Sequence, residues 1–276
     1  MRIANRLSKL LGIVVLAVGI AACGDNSTNP VEPPDPTPPE LPELQSYQPE
    51  TEYFNNNSTQ NKSVQNGAAF GMASEFVQSN VHSMFGITQV YMPFFEQARE
   101  TEPTFDDGVW EWTYSYTYPQ VQQSAELRLT AEPNDVTGET SWELFVSVDV
   151  PDGPSLDNYR FMSGTSSSDG NEGSWSVYTL GENGSSGEAV FTFEWSREDE
   201  DNFTSSYTIH NTGSAEYQSV NFDYTKAVPE HTLHMHSSDG EFDVEIFWNT
   251  ETDIGYVNYL GDKMCWDSNF EDTACQ

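Results

Sequence analysis

Trp110-Glu111-Trp112-Thr113-Tyr114-Ser115-Tyr116-Thr117-Tyr118 alternates an aromatic residue with a polar one along its whole length. Successive side chains of an extended chain point to opposite faces, so the rings share one face and the stretch reads as a half-buried β-strand. The same period of two recurs downstream in Ala125, Leu127 and Leu129; in Trp142, Leu144, Val146 and Val148; in Ala189, Phe191, Phe193 and Trp195; and in Phe203, Ser205, Tyr207 and Ile209. It continues in Val220, Phe222 and Tyr224; in Leu233 and Met235; in Phe242, Val244, Ile246 and Trp248; and in Tyr256, Asn258 and Leu260. Between these runs fall the turn pairs Asp107-Gly108, Thr137-Gly138, Asp152-Gly153, Asp169-Gly170, Asn183-Gly184, Thr212-Gly213 and Asp239-Gly240. Turns this short join antiparallel neighbours, so the spacing predicts a meander of about nine to eleven strands. A sheet of that size curls or closes, with its apolar face inside.

Upstream the period changes. Val64, Ala68, Met72 and Phe76 recur at i+4, with Val81, Met84 and Phe85 extending the stripe. A second helical set follows in Ile87, Val90, Tyr91, Phe94, Phe95 and Ala98, where Pro93 either ends one piece or opens another. Lys62 and Arg99 are the only basic residues in this stretch, too few for the basic polar face of a membrane-inserting helix. The expected fold is therefore α+β and mostly β: one or two N-terminal helices packed on a large curved antiparallel meander or incomplete barrel. The helical segment is expected over 53–100 and the antiparallel β domain over 101–276.

Residues 23–52 hold eight prolines from Pro30 to Pro49 among acidic and polar residues. That composition cannot bury a core and favours an extended tether. Before it, Arg2, Arg6 and Lys9 precede an apolar run from Leu10 to Ile20, then Ala21, Ala22 and Cys23, so residues 1–22 read as a secretory signal peptide. Leu16 to Cys23 resembles the lipobox of bacterial lipoproteins. The resemblance implies that Cys23 carries the lipid and becomes the mature N-terminus. It also implies attachment to a membrane through the lipid alone, since no later apolar run approaches the ~20 residues that span a bilayer. Gly24 rather than an acid follows Cys23, which by resemblance to Gram-negative sorting rules points to the outer membrane, on its periplasmic or external side. In such an oxidising compartment the two remaining cysteines, Cys265 and Cys275, are expected to form a disulfide. The hairpin unit Phe161 to Thr165 with Gly173 to Tyr178, and the ending Cys265-Trp266-Asp267 to Cys275, resemble uncharacterised β-rich envelope lipoproteins, a family that brings no activity with it.

Forty-four acidic residues against ten basic ones give a net charge of −34, and removing residues 1–22 makes the chain still more acidic. Such a surface repels phosphates and anionic lipid head groups, so nucleic acid is not an expected partner, and it suits a saline habitat. Aromatic residues at 13% supply a core that a disordered acidic polymer would lack.

His231, His234 and His236 form the one histidine cluster, and His234 and His236 share a strand face opposite Leu233 and Met235. With Glu241 they make an H-x-H-x4-E string similar to the first half of a cupin metal motif. Val228 and Trp248 stand where that motif needs glycine, and no second half follows. Solvent-exposed histidines are the simpler reading and a metal site the alternative. The acidic runs 197–202 and 169–172 lack calcium-loop spacing and read as solvated turns. No G-x-S-x-G occurs, no carboxylate pair stands out for glycoside hydrolysis, and no cofactor motif is present. The expected role is therefore non-catalytic binding. A curved sheet covered by helices resembles in outline the LolA/LolB-type lipoprotein carriers. That implies an apolar or amphipathic ligand lined by Met72, Phe76, Trp110, Trp112 and Tyr114. The alternative is a surface glycan-binding or adhesion module that uses outward aromatics, namely Tyr178, Phe247 and Tyr259.

Overall fold

The computed structural model describes residues 37–41, 47–60, 67–81, 93–118, 123–149, 155–181, 186–210 and 219–275. Two short helices come first, α1 (Glu52–Gln60) and α2 (Ala68–Phe76), the second running on into a π turn at Val77–Val81. Residues 93–99 form a further helical piece that opens on Pro93, whose missing N–H is no loss in a first turn. One sheet follows: β1 (Thr104–Asp106), β2 (Val109–Tyr118), β3 (Gln123–Asn134), β4 (Glu139–Val148), β5 (Leu156–Ser167), β6 (Glu172–Leu180), β7 (Ser186–Arg197), β8 (Asn202–His210), β9 (Ser219–Ala227), β10 (Glu230–Ser237), β11 (Asp243–Asn249), β12 (Gly255–Tyr259), β13 (Asp262–Trp266) and β14 (Asp272–Thr273). Spatial order equals sequence order, so the sheet is a pure meander, curved and open, with β1 and β14 at its two edges. Asp107 (φ 47°) and Gly108 (φ 88°) link β1 to β2 in a two-residue turn with both residues left-handed, the twist that suits a tight hairpin.

The mostly β architecture is the one the alternation predicts, but fourteen strands exceed the nine to eleven expected. The additions β1, β13 and β14 have three, five and two residues, too short for a period of two to show. In the long strands the apolar set faces the concave side. On β4, Trp142, Leu144 and Val146 are buried while Ser141 and Thr140's other neighbour Glu139 are exposed. On β2, Trp110, Trp112 and Tyr114 are buried.

Three groups of rings fill the concave side from the N-terminal part of the chain. Phe54 of α1 and Phe70 of α2, both fully buried, pack on Trp248 of β11 (5.1 Å from Phe54) and Trp266 of β13 (5.6 Å from Phe70), with Phe270 4.5 Å from Phe70. Tyr47 sits 5.4 Å from Trp195, 6.3 Å from Phe193 and 6.1 Å from Phe203, over β7 and β8. Phe95 reaches Trp175 of β6 (4.9 Å), and Phe94 reaches Tyr116 of β2 (5.3 Å). Room for these large rings comes partly from Gly173, where an added Cβ would run into the Trp195 ring.

Polar contacts lock the same side. The Lys226 ammonium is nearly buried and donates to Glu50 Oε1 (2.7 Å) and the Glu200 carbonyl (2.9 Å). The Glu50 N–H donates to the Tyr224 hydroxyl (3.4 Å), which in turn faces His231 Nδ1 at 2.8 Å. His231 lies parallel to Trp248 with ring centroids 5.1 Å apart. Burial pushes its pKa below the usual imidazole value; the Glu50 carboxylate opposes that shift and the Lys226 ammonium adds to it. At the other end, Asp272 accepts from the N–H groups of Ala68 (3.1 Å) and Ala69 (2.9 Å), so a distant carboxylate caps α2.

Two further expectations need correction. The helical stripe is displaced by one position: α2 buries Ala69, Phe70, Ala73 and Ser74, while Met72 is 42% exposed. A strict i+4 row drifts around a helix of 3.6 residues per turn, and turning Phe70 inward buries a larger surface than Met72 would. Of the remaining predicted helical positions, Val64, Met84, Phe85, Ile87, Val90 and Tyr91 lie outside the described residues, whereas Phe94, Phe95 and Ala98 are buried as expected. Finally, the described part of 23–52 is not a free tether, because Leu41 and Tyr47 are buried and Glu50 is tied to Lys226. Cys23 and residues 1–36 are outside the described part, and among the described residues no helix is long and apolar enough to cross a membrane.

Cys265 and Cys275 are bonded, closing a loop of sequence separation 10 that carries Asp272. Loss of that closure in the Cys265→Ser, Cys275→Ser double variant should cost at most roughly 3 kcal/mol, and less if only the end frays. Thermal melting of the variant and thiol labelling of the non-reduced parent, which should show no reactive thiol from this pair, check both parts. A second outcome concerns acid. A neutral, buried His231 resists a proton that the unfolded chain accepts, so the unfolded state binds more protons below the ordinary value of 6.5. Stability should therefore fall as pH drops from about 6.5 toward the lowered folded value. His231→Gln should flatten that part of the profile, as measured by urea unfolding at a series of pH values.

Candidate functional site

On the outer face of the sheet, neighbouring strands place side chains in rows. One row runs Ser206 (β8), Asp223 (β9), His234 (β10), Glu245 (β11), Asn258 (β12) and Lys263 (β13); each is the direct cross-strand partner of the next. The next row on one side holds Thr208, Asn221, His236 and Asp243, and that on the other holds Thr225, Thr232, Phe247, Tyr256 and Cys265.

His234 and His236 stand side by side there, ring centroids 4.6 Å apart, each about one-third exposed. His231 does not join them. It points to the core side with Leu233 and is 1% exposed. Glu241 also stays apart, in the turn after β10, where its N–H donates to Asp239 Oδ1 (3.3 Å). The acid that does approach is Asp223, from the next strand: one donor atom from each of Asp223, His234 and His236 lies within 4.8 Å of the others. Among the described residues no other such group of three histidine, cysteine or acidic side chains occurs. Sequence spacing within β10 cannot reveal Asp223; only the β9–β10 register brings it opposite His234.

The second feature is an aromatic shelf. Phe247 and Tyr256 stack at 5.4 Å with an interplanar angle of 18°. They line a groove of about 330 Å³ together with Ile254, Lys263, Asp267 and Thr273. The Lys263 ammonium stands over the Tyr256 ring (3.4 Å), and the Tyr256 hydroxyl donates to Glu245 Oε1 (2.7 Å). Burial, helped by the Glu245 carboxylate, pushes the Tyr256 pKa up to about 12, so the phenol stays protonated and holds its orientation.

The other sequence-predicted positions divide by face. Trp110, Trp112 and Tyr114 do lie on the concave side, within one continuous packed cluster, and burial raises the Tyr114 phenol well above its usual pKa. Phe76 is half-buried against Phe242 (6.0 Å), and Met72 faces away. They do not converge on one site. Tyr178, on the outer face, pairs with Ser163 (2.7 Å) beneath the Arg160 guanidinium, and Tyr259 is 44% exposed near Phe242. Phe247 lies in a groove, but the expected phase of β12 is reversed: Val257 and Tyr259 pair with the buried Ile246 and Val244 on the inner face, which turns Tyr256 outward beside Phe247 and leaves Tyr259 off the outer face.

The acidic turns behave as turns. Asp199 accepts from the N–H of Asp201 (2.8 Å) and from Asn202 Nδ2 (2.8 Å), and Asp169 from the N–H of Asn171 (3.1 Å) and the Ser167 hydroxyl (2.6 Å). These bonds hold both carboxyls below their usual pKa. Comparison of the chain with protein-family models, with curated proteins and with solved structures returns no match.

Proposed function

We propose that this is a lipid-anchored protein of the bacterial cell envelope whose β-rich part is a non-catalytic, glycan-binding module. The observation that carries the binding half is the Phe247–Tyr256 shelf. The stacked pair lines the groove with apolar ring surface for the C–H face of a sugar, while Lys263, Asp267 and Thr273 around the same groove offer hydrogen bonds to its hydroxyls. An apolar ligand on the concave side has less support, because rings of α1, α2 and residues 93–99 occupy that side. The envelope half rests on the lipobox-like run ending at Cys23 and on the proline-rich stretch after it. The acidic outer surface is compatible with binding a neutral or cationic partner in a saline medium.

Metabolic labelling with palmitate in a Gram-negative host should mark the parent chain and leave Cys23→Ala unmarked. Equal labelling of both would remove the anchor from the reading. A glycan array probed with the purified chain should give binding that Phe247→Ala weakens by about tenfold or more, the scale of one lost aromatic contact. A silent array together with a lipid co-purifying in native mass spectrometry would overturn the glycan assignment in favour of the apolar ligand.

A further inference from the structure

We propose that Asp223, His234 and His236 form a binding site for a divalent transition metal of the zinc class on the outer face of β9 and β10. The argument starts from how the three side chains are held. Each already has one polar atom engaged by a neighbour. The Ser206 hydroxyl donates to Asp223 Oδ1 (2.6 Å), the Asn221 amide meets His236 Nε2 (3.3 Å), and Asp243 Oδ1 meets His234 Nε2 (3.1 Å). Such outer partners fix ring orientation and tautomer, which is what metal-bound histidines and carboxylates require of their surroundings.

Two of the atoms left over face each other, and one nitrogen of His234 lies within 4.8 Å of both side chains. His236 Nδ1 and Asp223 Oδ2 are 3.7 Å apart, within ion-pair range for a protonated ring but too long for a hydrogen bond. His236 Nδ1 is screened from solvent and has no hydrogen-bond partner. Two ligands that share one zinc ion at about 2.0–2.1 Å each sit roughly 3–4 Å from one another, so this gap has the dimensions of an ion. Stacking of the two imidazoles at 4.6 Å keeps His234 beside the same gap. All three ligands stand on paired strands, so little order remains to be imposed on binding.

Donor chemistry selects the class. Two imidazole nitrogens and one carboxylate suit zinc, nickel or copper, whereas calcium and magnesium prefer all-oxygen shells. Three protein ligands leave at least one coordination position to water or to an incoming ligand. The proposal does not depend on glycan binding, since Phe247 belongs to a different row.

Isothermal titration of the full chain with zinc chloride settles it, with millimolar magnesium present to occupy unspecific carboxylate sites. One equivalent should bind. His236→Ala should weaken it by about 100-fold or more, and Asn221→Ala by about tenfold through lost orientation. His210→Ala and Phe247→Ala should leave it unchanged. In the unaltered chain, zinc should shift the imidazole nitrogen resonances of His234 and His236 and leave those of His210 and His231 in place, a readout that needs no variant to fold. Absence of the equivalent, its survival in a folded His234→Ala, His236→Ala double variant, or unmoved His234 and His236 resonances would overturn the site.

Discussion

A single open sheet with one apolar face cannot stand in water uncovered, and here the cover is aromatic. Phe54, Phe70, Tyr47, Phe94 and Phe95 reach down from short segments into the aromatic rows of the sheet. Each such ring removes on the order of 150–250 Å² from water, and a favourable ring pair adds about 0.5–1.5 kcal/mol beyond area alone. The dependence runs both ways. The α1 sequence Glu-Tyr-Phe-Asn-Asn-Asn-Ser-Thr-Gln has little intrinsic helix preference, and Phe54 against Trp248 gives it a reason to be helical. The sheet supplies the groove, and the helices exist because the groove must be filled.

This explains which parts of the fold were legible. Long strands advertise themselves because burial on one face and solvent on the other write a period of two into the residues, as on β2 and β4. The edge strands are too brief to write any period. Tyr47 and Leu41 lie among prolines and acids, and Tyr47 is covered by partners more than a hundred positions away, such as Trp195, with no trace in its neighbours. The displaced stripe of α2 has the same origin, since the choice between Phe70 and Met72 is made by the Trp266 and Phe270 rings. At the outer-face site, alternation found the histidine pair and Phe247. Register, a property of two strands together, supplied Asp223 and Tyr256.

Charge follows a similar division. Exposed pairs such as Arg128–Glu111 (3.1 Å) and Arg160–Glu143 (3.0 Å) are worth about 0–1 kcal/mol each and chiefly relieve crowding among outer-face acids. Lys226 is different, because its ammonium is largely removed from water and would be left uncompensated without Glu50 and the Glu200 carbonyl. That one lysine therefore ties the start of the folded part to the middle of the meander, in a protein where cations are scarce.

The cap on α2 sets a timetable for the chain. Hairpins of the meander join near neighbours and can form in succession as the polypeptide emerges. The Ala68 N–H meets its acceptor 204 positions later, so the first turn of α2 stays open until the C-terminal loop arrives. The end of the concave side under α2 is thus sealed last, and a chain interrupted before Asp272 would carry a nearly complete sheet on which α2 had lost its N-terminal cap.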